Sequence, residues 1–228
     1  MPPDPMTEQA WKRMVIDDLY MQAQWEGLAN ANRLMFRLAS ESAMVKSDGP
    51  LDAAVIIVGE APGNDEVIQG RPFVGPSGRL LDALLPVVGL SRGHCYVTNV
   101  VPWRPRANRA PTADEIMACR PRLMEEVKTV GAPLVISLGS SALLGLTGSR
   151  RALADCHGSF LHFGEAPPID LSYESHPIEI TAARPYWSYV LMPTYHPSAA
   201  LRDKIAEERI HADFERLGEH CQGGIKRE

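Results

Sequence analysis

The sequence has little of several features that would remove it from the class of ordinary globular proteins. No apolar run approaches ~18 residues, which argues against a membrane-spanning helix. Residues 1–14 lack the basic-then-apolar order of a secretory signal, so we expect an intracellular, cytoplasmic protein. Lys and Arg number 23 against 28 Asp and Glu, a shortage of positive charge that argues against a general nucleic-acid coat. With 45% apolar and 22% charged residues, the 228-residue chain has the composition of a folded domain rather than a disordered one.

Cysteine is also scarce. The four cysteines are Cys95, Cys119, Cys156 and Cys221, and no pair has the C-x-x-C spacing of a zinc site. Without a secretory signal, the simplest interpretation is four reduced structural thiols.

Helical periodicity dominates the first part of the chain. Apolar residues recur at three-to-four spacing from Thr7 to about Met44, and Gly27 can divide this stretch into two helices. A turn at residues 47–52 separates it from the rest of the chain. We therefore predict a helical extension over residues 1–50, packed on a domain that spans residues 51–228.

Four short apolar runs alternate with helical patterns in that second part. The runs are AAVIIVG (53–59), CYVTNVV (95–101), PLVISLG (133–139) and YVLMPTYH (189–196). This alternation predicts an α/β fold in which a central four-stranded parallel sheet is flanked by helices in three layers (α/β/α). Ligands bind such sheets at the carboxyl ends of the strands, so we look there for the site.

The first predicted strand ends in Gly59-Glu60-Ala61-Pro62-Gly63. Small residues here let a ligand approach the backbone, and Glu60 adds a carboxylate. The same loop carries Phe73, an aromatic ring that can stack on a planar ligand. No Gly-Lys-Ser/Thr follows, which excludes a Walker loop, and a simple strand-to-helix turn is the alternative interpretation.

The second predicted strand ends at Asn99, whose amide suits the hydrogen-bonding edge of a base. The loop after this strand carries Arg104, Arg106 and Arg109 with Trp103 and no acidic residue. A basic loop with an aromatic ring suits phosphate contact and base stacking, while a solvated surface loop is the alternative.

The last predicted strand leads into His196, which precedes a proline and is therefore held in extended backbone. From this strand end its ring can face Glu60 and Asn99. Leu201 and Arg202 lie in the next loop.

Together these segments resemble the uracil-DNA glycosylase superfamily, most closely its family 4 branch. The segments that match, in the family's order, are Gly59–Gly63, Gly70–Gly75, Ser77–Leu81, Thr98–Val101, Asn108–Arg109, Leu138–Gly139 and Thr194–Ser198. They extend over about residues 55–217.

The resemblance implies a role for each candidate residue. Glu60 positions a water molecule, and the backbone at Glu60 and Ala61 lines the uracil pocket. Phe73 stacks on the flipped base, Asn99 reads its edge and rejects cytosine, and His196 hydrogen-bonds the base oxygen on which negative charge develops.

The resemblance also implies DNA as the partner. Leu201 and Arg202 press into the duplex, and the arginines of the basic loop meet phosphate. We predict a monofunctional uracil-DNA glycosylase that leaves an abasic site for base excision repair, and that acts as a monomer. The alternatives are a glycosylase for a different or modified pyrimidine, or a DNA- or base-binding module without turnover.

The sequence departs from family 4 at its cofactor. Family 4 members usually carry a four-cysteine iron–sulfur cluster, but residues 1–58 hold no cysteine, and Trp103 occupies the position of the third ligand. Only Cys119 matches, so we predict no iron–sulfur cluster and no metal. His157-Gly158 replaces the family's Arg-Gly, and residues 163–186 look like an insertion.

Overall fold

In a computed structural model, the structure describes residues 7–28, 33–164 and 188–221. Five strands form one sheet: β1 (Val55–Gly59), β2 (Cys95–Asn99), β3 (Leu134–Leu138), β4 (Leu161–Gly164) and β5 (Ser188–Thr194). Their order is β2-β1-β3-β5-β4, and every neighbouring pair is parallel except β4 with β5. The predicted four-stranded parallel sheet is confirmed, with one antiparallel strand added at its edge.

The added strand β4 was not predicted from the sequence. It is only four residues long, too short for alternation to distinguish it from a loop. It begins just before the stretch interpreted as an insertion (residues 163–186), and residues 165–186 of that stretch lie outside the described residues.

Eight α-helices lie within the described ranges. They are α1 (Glu8–Leu28), α2 (Arg33–Glu41), α3 (Asn64–Gln69), α4 (Pro76–Leu84), α5 (Ala113–Val130), α6 (Gly139–Thr147), α7 (Pro197–Ala200) and α8 (Lys204–His220). The predicted N-terminal helical stretch gives α1 and α2 among the described residues, and Gly27, the expected point of division, lies within α1. None of these helices combines the length and apolarity needed to cross a bilayer.

The helices cover both faces of the sheet, as predicted. Alternate residues of β1 point to opposite faces. Ile56 and Val58 pack with α1, α2, α5 and α6 in one core, while Val55 and Ile57 pack with α4, α7 and α8 in the other. The three-layer arrangement therefore leaves the carboxyl ends of the parallel strands as the open edge of the domain.

Helices α1 and α2 share the first of these cores with the sheet. Ile16, Tyr20 and Leu38 are buried there beside residues of α5. The N-terminal region is thus packed against the α/β unit through apolar side chains.

Candidate functional site

A cavity of about 940 Å³ opens at the carboxyl ends of the parallel strands. Its walls include the loop after β1, the loop between α3 and α4, the end of β2, the start of α6 and the segment after β5. All five residues proposed to catalyse or to bind the base line it: Glu60, Ala61, Phe73, Asn99 and His196. The strand-end rule therefore located the cavity correctly.

Asn99 occupies the floor of this cavity. Its residue is only 5% exposed, and its Oδ1 has no hydrogen-bond partner among the residues that the structure describes. A buried polar atom without a partner is costly, and a hydrogen bond from a ligand in the cavity would remove that cost. The backbone carbonyl is held separately, because Nη2 of Arg122 donates to it over 2.6 Å.

Gly59 makes room for two of the site's side chains. A Cβ built at Gly59 would lie 2.4 Å from Oδ1 of Asn99 and 2.4 Å from Cζ of Phe73. Such contacts are far inside van der Waals separation, so only a residue without a side chain fits between the amide and the ring.

Phe73 is held in an unusual backbone conformation. Its φ is +53°, in the left-handed region that residues with a Cβ rarely adopt. Nη1 of Arg92 donates to the carbonyl of Phe73 over 3.1 Å, and Gly78 lies so close that an added Cβ would come within 1.8 Å of that carbonyl oxygen. This support places the ring beside His196, with the ring centroids 5.8 Å apart.

Glu66 lines the cavity and supports its loops, and sequence reasoning did not identify it. One carboxylate oxygen accepts from the N–H of Gly63 over 3.0 Å, and the other accepts from the N–H groups of Val74 and Gly75 over 3.0 and 2.9 Å. Glu66 therefore links Gly63, which precedes α3, to Val74 and Gly75, which follow Phe73. An acidic residue three positions after a helix-capping residue was the signal available in the sequence.

His196 presents a defined tautomer to the cavity. The backbone N–H of Ser198 donates to Nδ1 over 3.1 Å, so a neutral ring carries its hydrogen on Nε2. Burial, assisted by the positive charge of Arg202, lowers the pKa of His196 from 6.5 to about 4. At neutral pH the ring is therefore an uncharged donor.

Glu60 lines the cavity, and its carboxylate has a single hydrogen-bond partner among the described residues. Oγ of Ser141 donates to its Oε2 over 2.6 Å. The backbone carbonyl of Glu60 accepts from the N–H of Val101 over 3.0 Å, which fixes the main chain at the end of β2. Ser141 lines the cavity too, and sequence reasoning did not identify it.

The arginines of the basic loop are not equivalent. Arg104 and Arg106 do not line the cavity, whereas Arg109 does. The guanidinium of Arg109 forms two hydrogen bonds, of 2.8 and 2.7 Å, to the buried carboxylate of Glu115. Nη1 of Arg104 donates to Asn64 at the cavity rim over 3.2 Å.

The segment after β5 projects two further candidates at the mouth of the cavity. Leu201 is 52% exposed and does not line the cavity, while Arg202 does. Nε of Arg202 donates to the carbonyl of Ser198 over 2.9 Å, which holds the side chain against α7.

A buried ion pair supports the end of β2. Arg122, which donates to the carbonyl of Asn99, pairs with Glu126 one helical turn away on α5. Glu126 also accepts from the hydroxyls of Tyr20 and Tyr96 over 3.1 and 2.6 Å. Burial raises the pKa of Tyr20 to about 12, so its hydroxyl stays protonated as a donor, and α1 is thereby linked to the floor of the site.

His157 does not line the cavity. Its Nδ1 lies 2.9 Å from Oδ1 of the buried Asp213, whose Oδ2 accepts from Oγ1 of Thr194 over 2.6 Å. The substitution of His for the family's Arg at this position therefore lies behind the end of β5 rather than in the cavity wall.

Comparisons with known proteins agree with this geometry. Residues 46–217 match the family model of the uracil DNA glycosylase superfamily. The chain is 31% identical over 180 residues to a type-4 uracil-DNA glycosylase of Saccharolobus solfataricus, covering 77% of this chain and 74% of that protein. It is 34% identical over 187 residues to that of Pyrobaculum aerophilum, covering 80% and 84%. It is 34% identical over 166 residues to that of Thermotoga maritima, covering 73% and 76%.

These relatives correct the prediction that the chain has no iron–sulfur cluster. They are type-4 enzymes, and enzymes of this type carry such a cluster, so the predicted absence is wrong by this comparison. The prediction inferred the absence of the cluster from the absence of the family's cysteine positions. The absence of those positions excludes only that one set of ligands.

The cysteines of the described residues are divided between the two cores of the domain. Cys119 and Cys156 pack with one core and Cys95 and Cys221 with the other, so the sheet separates the two pairs. In residues 7–28, 33–164 and 188–221, no three His, Cys, Asp or Glu side chains are grouped to hold a metal ion. Trp103 is fully buried where the resemblance expects a cysteine ligand. These residues therefore do not fit the cluster.

Proposed function

Since the chain belongs to the uracil DNA glycosylase superfamily, we propose that it releases uracil from DNA by hydrolysing the N-glycosidic bond, leaving an abasic site for base excision repair. One observation carries the proposal. Four separate segments of the chain contribute side chains to the same cavity. These side chains are a carboxylate, an aromatic ring, a buried amide whose oxygen has no partner among the described residues, and a neutral histidine.

Uracil enters the cavity after it leaves the base stack, because a base within a duplex does not expose its glycosidic bond to an enzyme. Phe73 stacks on the flipped base. Oδ1 of Asn99 accepts from N3–H of uracil while the amide nitrogen donates to O4. Cytosine reverses both hydrogen-bonding roles and is excluded.

His196 and Glu60 act on the two ends of the bond that breaks. The electron pair of the N1–C1′ bond passes to the base, and Nε2–H of His196 donates to the base oxygen where negative charge accumulates. Glu60 orients a water molecule toward C1′ and accepts its proton as the new C–O bond forms. The carboxylate also stabilises the positive charge that develops on the sugar.

The DNA strand lies across the mouth of the cavity. Arg104, Arg106 and Arg202 contact phosphate, and Leu201 occupies the space that the base has left. Arg109 contributes through the part of its side chain that is not paired with Glu115, since 32% of that side chain stays exposed.

The enzyme is monofunctional, so it leaves the backbone of the abasic strand intact. Backbone cleavage by a lyase requires an amine that forms a Schiff base with the sugar. Among the described residues that line the cavity there is no lysine.

The protein acts as a monomer with two structural parts. The described lining residues form the cavity within one chain. The family match over residues 46–217 supports a glycosylase domain over about residues 51–228, preceded by a helical extension over residues 1–50. Sedimentation equilibrium measures the oligomeric state, and a monomer should have a mass of 25.1 kDa.

The test of this function is an incubation with matched oligonucleotides that contain uracil, hydroxymethyluracil, hypoxanthine or thymine. Alkali-labile sites should form at uracil, while the strand stays intact before alkali treatment. Preference for another base would favour the glycosylase of different specificity. Tight binding without an abasic product from any of the four would favour a binding module.

A further inference from the structure

We propose that Ser141 is a positioning residue for the reaction and that it acts by orienting the carboxylate of Glu60. This inference rests on the proposed function, because it assigns to Ser141 a task within that chemistry. Ser141 is the third residue of α6, and Glu60 lies directly after β1, so the two residues come from different elements that meet at the cavity.

The contact between them has the geometry of a strong hydrogen bond. Oγ of Ser141 lies 2.6 Å from Oε2 of Glu60, within the short range that is typical of a hydroxyl donating to a carboxylate. No other donor in the described part of the chain bonds this carboxylate, so Ser141 alone fixes its rotation there.

The hydrogen bond divides the two oxygens of Glu60 between two tasks. Oε2 is occupied by Ser141, which leaves Oε1 to accept a hydrogen bond from the attacking water. A free glutamate side chain samples several rotamers, and only some of them direct an oxygen at the sugar. Holding one rotamer keeps the water close to its line of attack, and misplacing a reacting group by an ångström lowers a rate strongly.

Both residues are only half-buried, so a water molecule can replace the hydroxyl at the carboxylate when the hydroxyl is removed. Such a water molecule does not hold the carboxylate in one orientation. The side chain of Ser141 is directed to Glu60, whereas the group assigned to the edge of the base is Asn99 at the floor of the cavity. Removal of the Ser141 hydroxyl should therefore slow the chemical step without weakening DNA binding.

The experiment measures single-turnover release of uracil from a uracil-containing oligonucleotide. Ser141→Ala should lower the maximal rate about 10- to 100-fold, the loss expected for one hydrogen bond to a charged group, with the half-saturating DNA concentration unchanged. Ser141→Thr, which keeps the hydroxyl, should restore the rate to within about threefold of the unaltered protein. Ser149→Ala, at an exposed serine just after α6, is the matched control and should not change the rate.

A second comparison asks whether Ser141 acts through Glu60. In a Glu60→Ala background the further change Ser141→Ala should alter the residual rate by less than about twofold, because the partner is already gone. Equal losses in the two backgrounds would overturn the inference, as would an unaffected rate in Ser141→Ala alone. If Glu60→Ala releases no uracil, the threonine variant decides, and failure to restore the rate would overturn the inference.

These outcomes separate the inference from the function on which it rests. If the unaltered protein releases uracil and the rate does not change in Ser141→Ala, the inference is refuted and the proposed function stands. An unaltered protein that releases no base refutes the proposed function and this inference with it.

Discussion

The backbone N–H of Ser198 donates to Nδ1 of His196 over 3.1 Å, and this one contact decides which ring nitrogen can serve as a donor. Since Nδ1 accepts, the neutral ring carries its hydrogen on Nε2. Burial beside Arg202 keeps the ring neutral by lowering its pKa to about 4. The residue before a four-residue helix thus presents an uncharged donor to the cavity, which is what the proposed stabilisation of a base anion requires.

Replacing His196 should remove most of the catalysis while sparing the fold. His196→Asn keeps an oxygen that can accept from the N–H of Ser198, but its shorter side chain no longer places a donor where Nε2 stood. We expect the maximal rate of uracil release to fall about 100- to 1,000-fold. The control is His211→Asn, at an exposed histidine on α8. Equal rates in the two variants would contradict the assigned role.

The same ring predicts a dependence of stability on pH. The pKa of His196 is about 4 in the folded protein and 6.5 as a free side chain, so the unfolded state binds this proton first as the pH falls. The stabilising contribution is complete above pH 6.5 and is lost as the pH drops through 4, amounting to about 3 kcal/mol.

Urea unfolding of the unaltered protein and of His196→Asn measures this contribution. The difference in unfolding free energy between the two proteins should change between pH 6.5 and 4 and stay constant above that range. Carboxylates that titrate in the same range are common to both proteins and cancel. Parallel curves over the whole range would show that folding does not lower this pKa.

Exchange of the amide at Asn99 for a carboxylate should shift the preference for the base toward cytosine. Asn99→Asp offers only acceptors, which match the amino group of cytosine and repel O4 of uracil. We expect uracil release to fall about 100-fold or more, with the residual activity shifted toward cytosine. Competition between uracil and cytosine in otherwise identical oligonucleotides measures the ratio. An unchanged ratio would mean that another group reads the base.

A methyl group at Gly59 should displace side chains that line the cavity. In Gly59→Ala the new Cβ would need to displace Asn99 or Phe73, each with an atom 2.4 Å from the built position. Uracil release should fall at least about 100-fold because the two groups that hold the base can no longer occupy their places together. Gly93→Ala is the control, since the nearest atom to its built Cβ lies 3.8 Å away. Full activity in Gly59→Ala would argue against the close approach.

The sheet and the main cavity residues were predictable because their signals are local. Each parallel strand is a short apolar run, and the residue at its end comes next in the chain, so Glu60, Asn99 and His196 could be identified from order alone. Their assigned roles remain proposals, as do those of the arginines and Leu201.

The supporting contacts were not predictable in the same way. Ser141 meets Glu60 across 81 residues, and Arg122 reaches the carbonyl of Asn99 across 23. Neither pair has a spacing that distinguishes it from other serines and arginines. The error about the iron–sulfur cluster has a different origin, because there a missing motif was taken for a missing cofactor.

The most direct test of the proposed reaction is mass spectrometry of both products after incubation with a uracil-containing oligonucleotide. We predict free uracil and an intact strand with one abasic site in equal amounts, and neither product from the Glu60→Ala, His196→Asn double variant over the same time. Unaltered substrate after incubation with the unmodified protein, at concentrations that saturate binding, would contradict the proposed reaction.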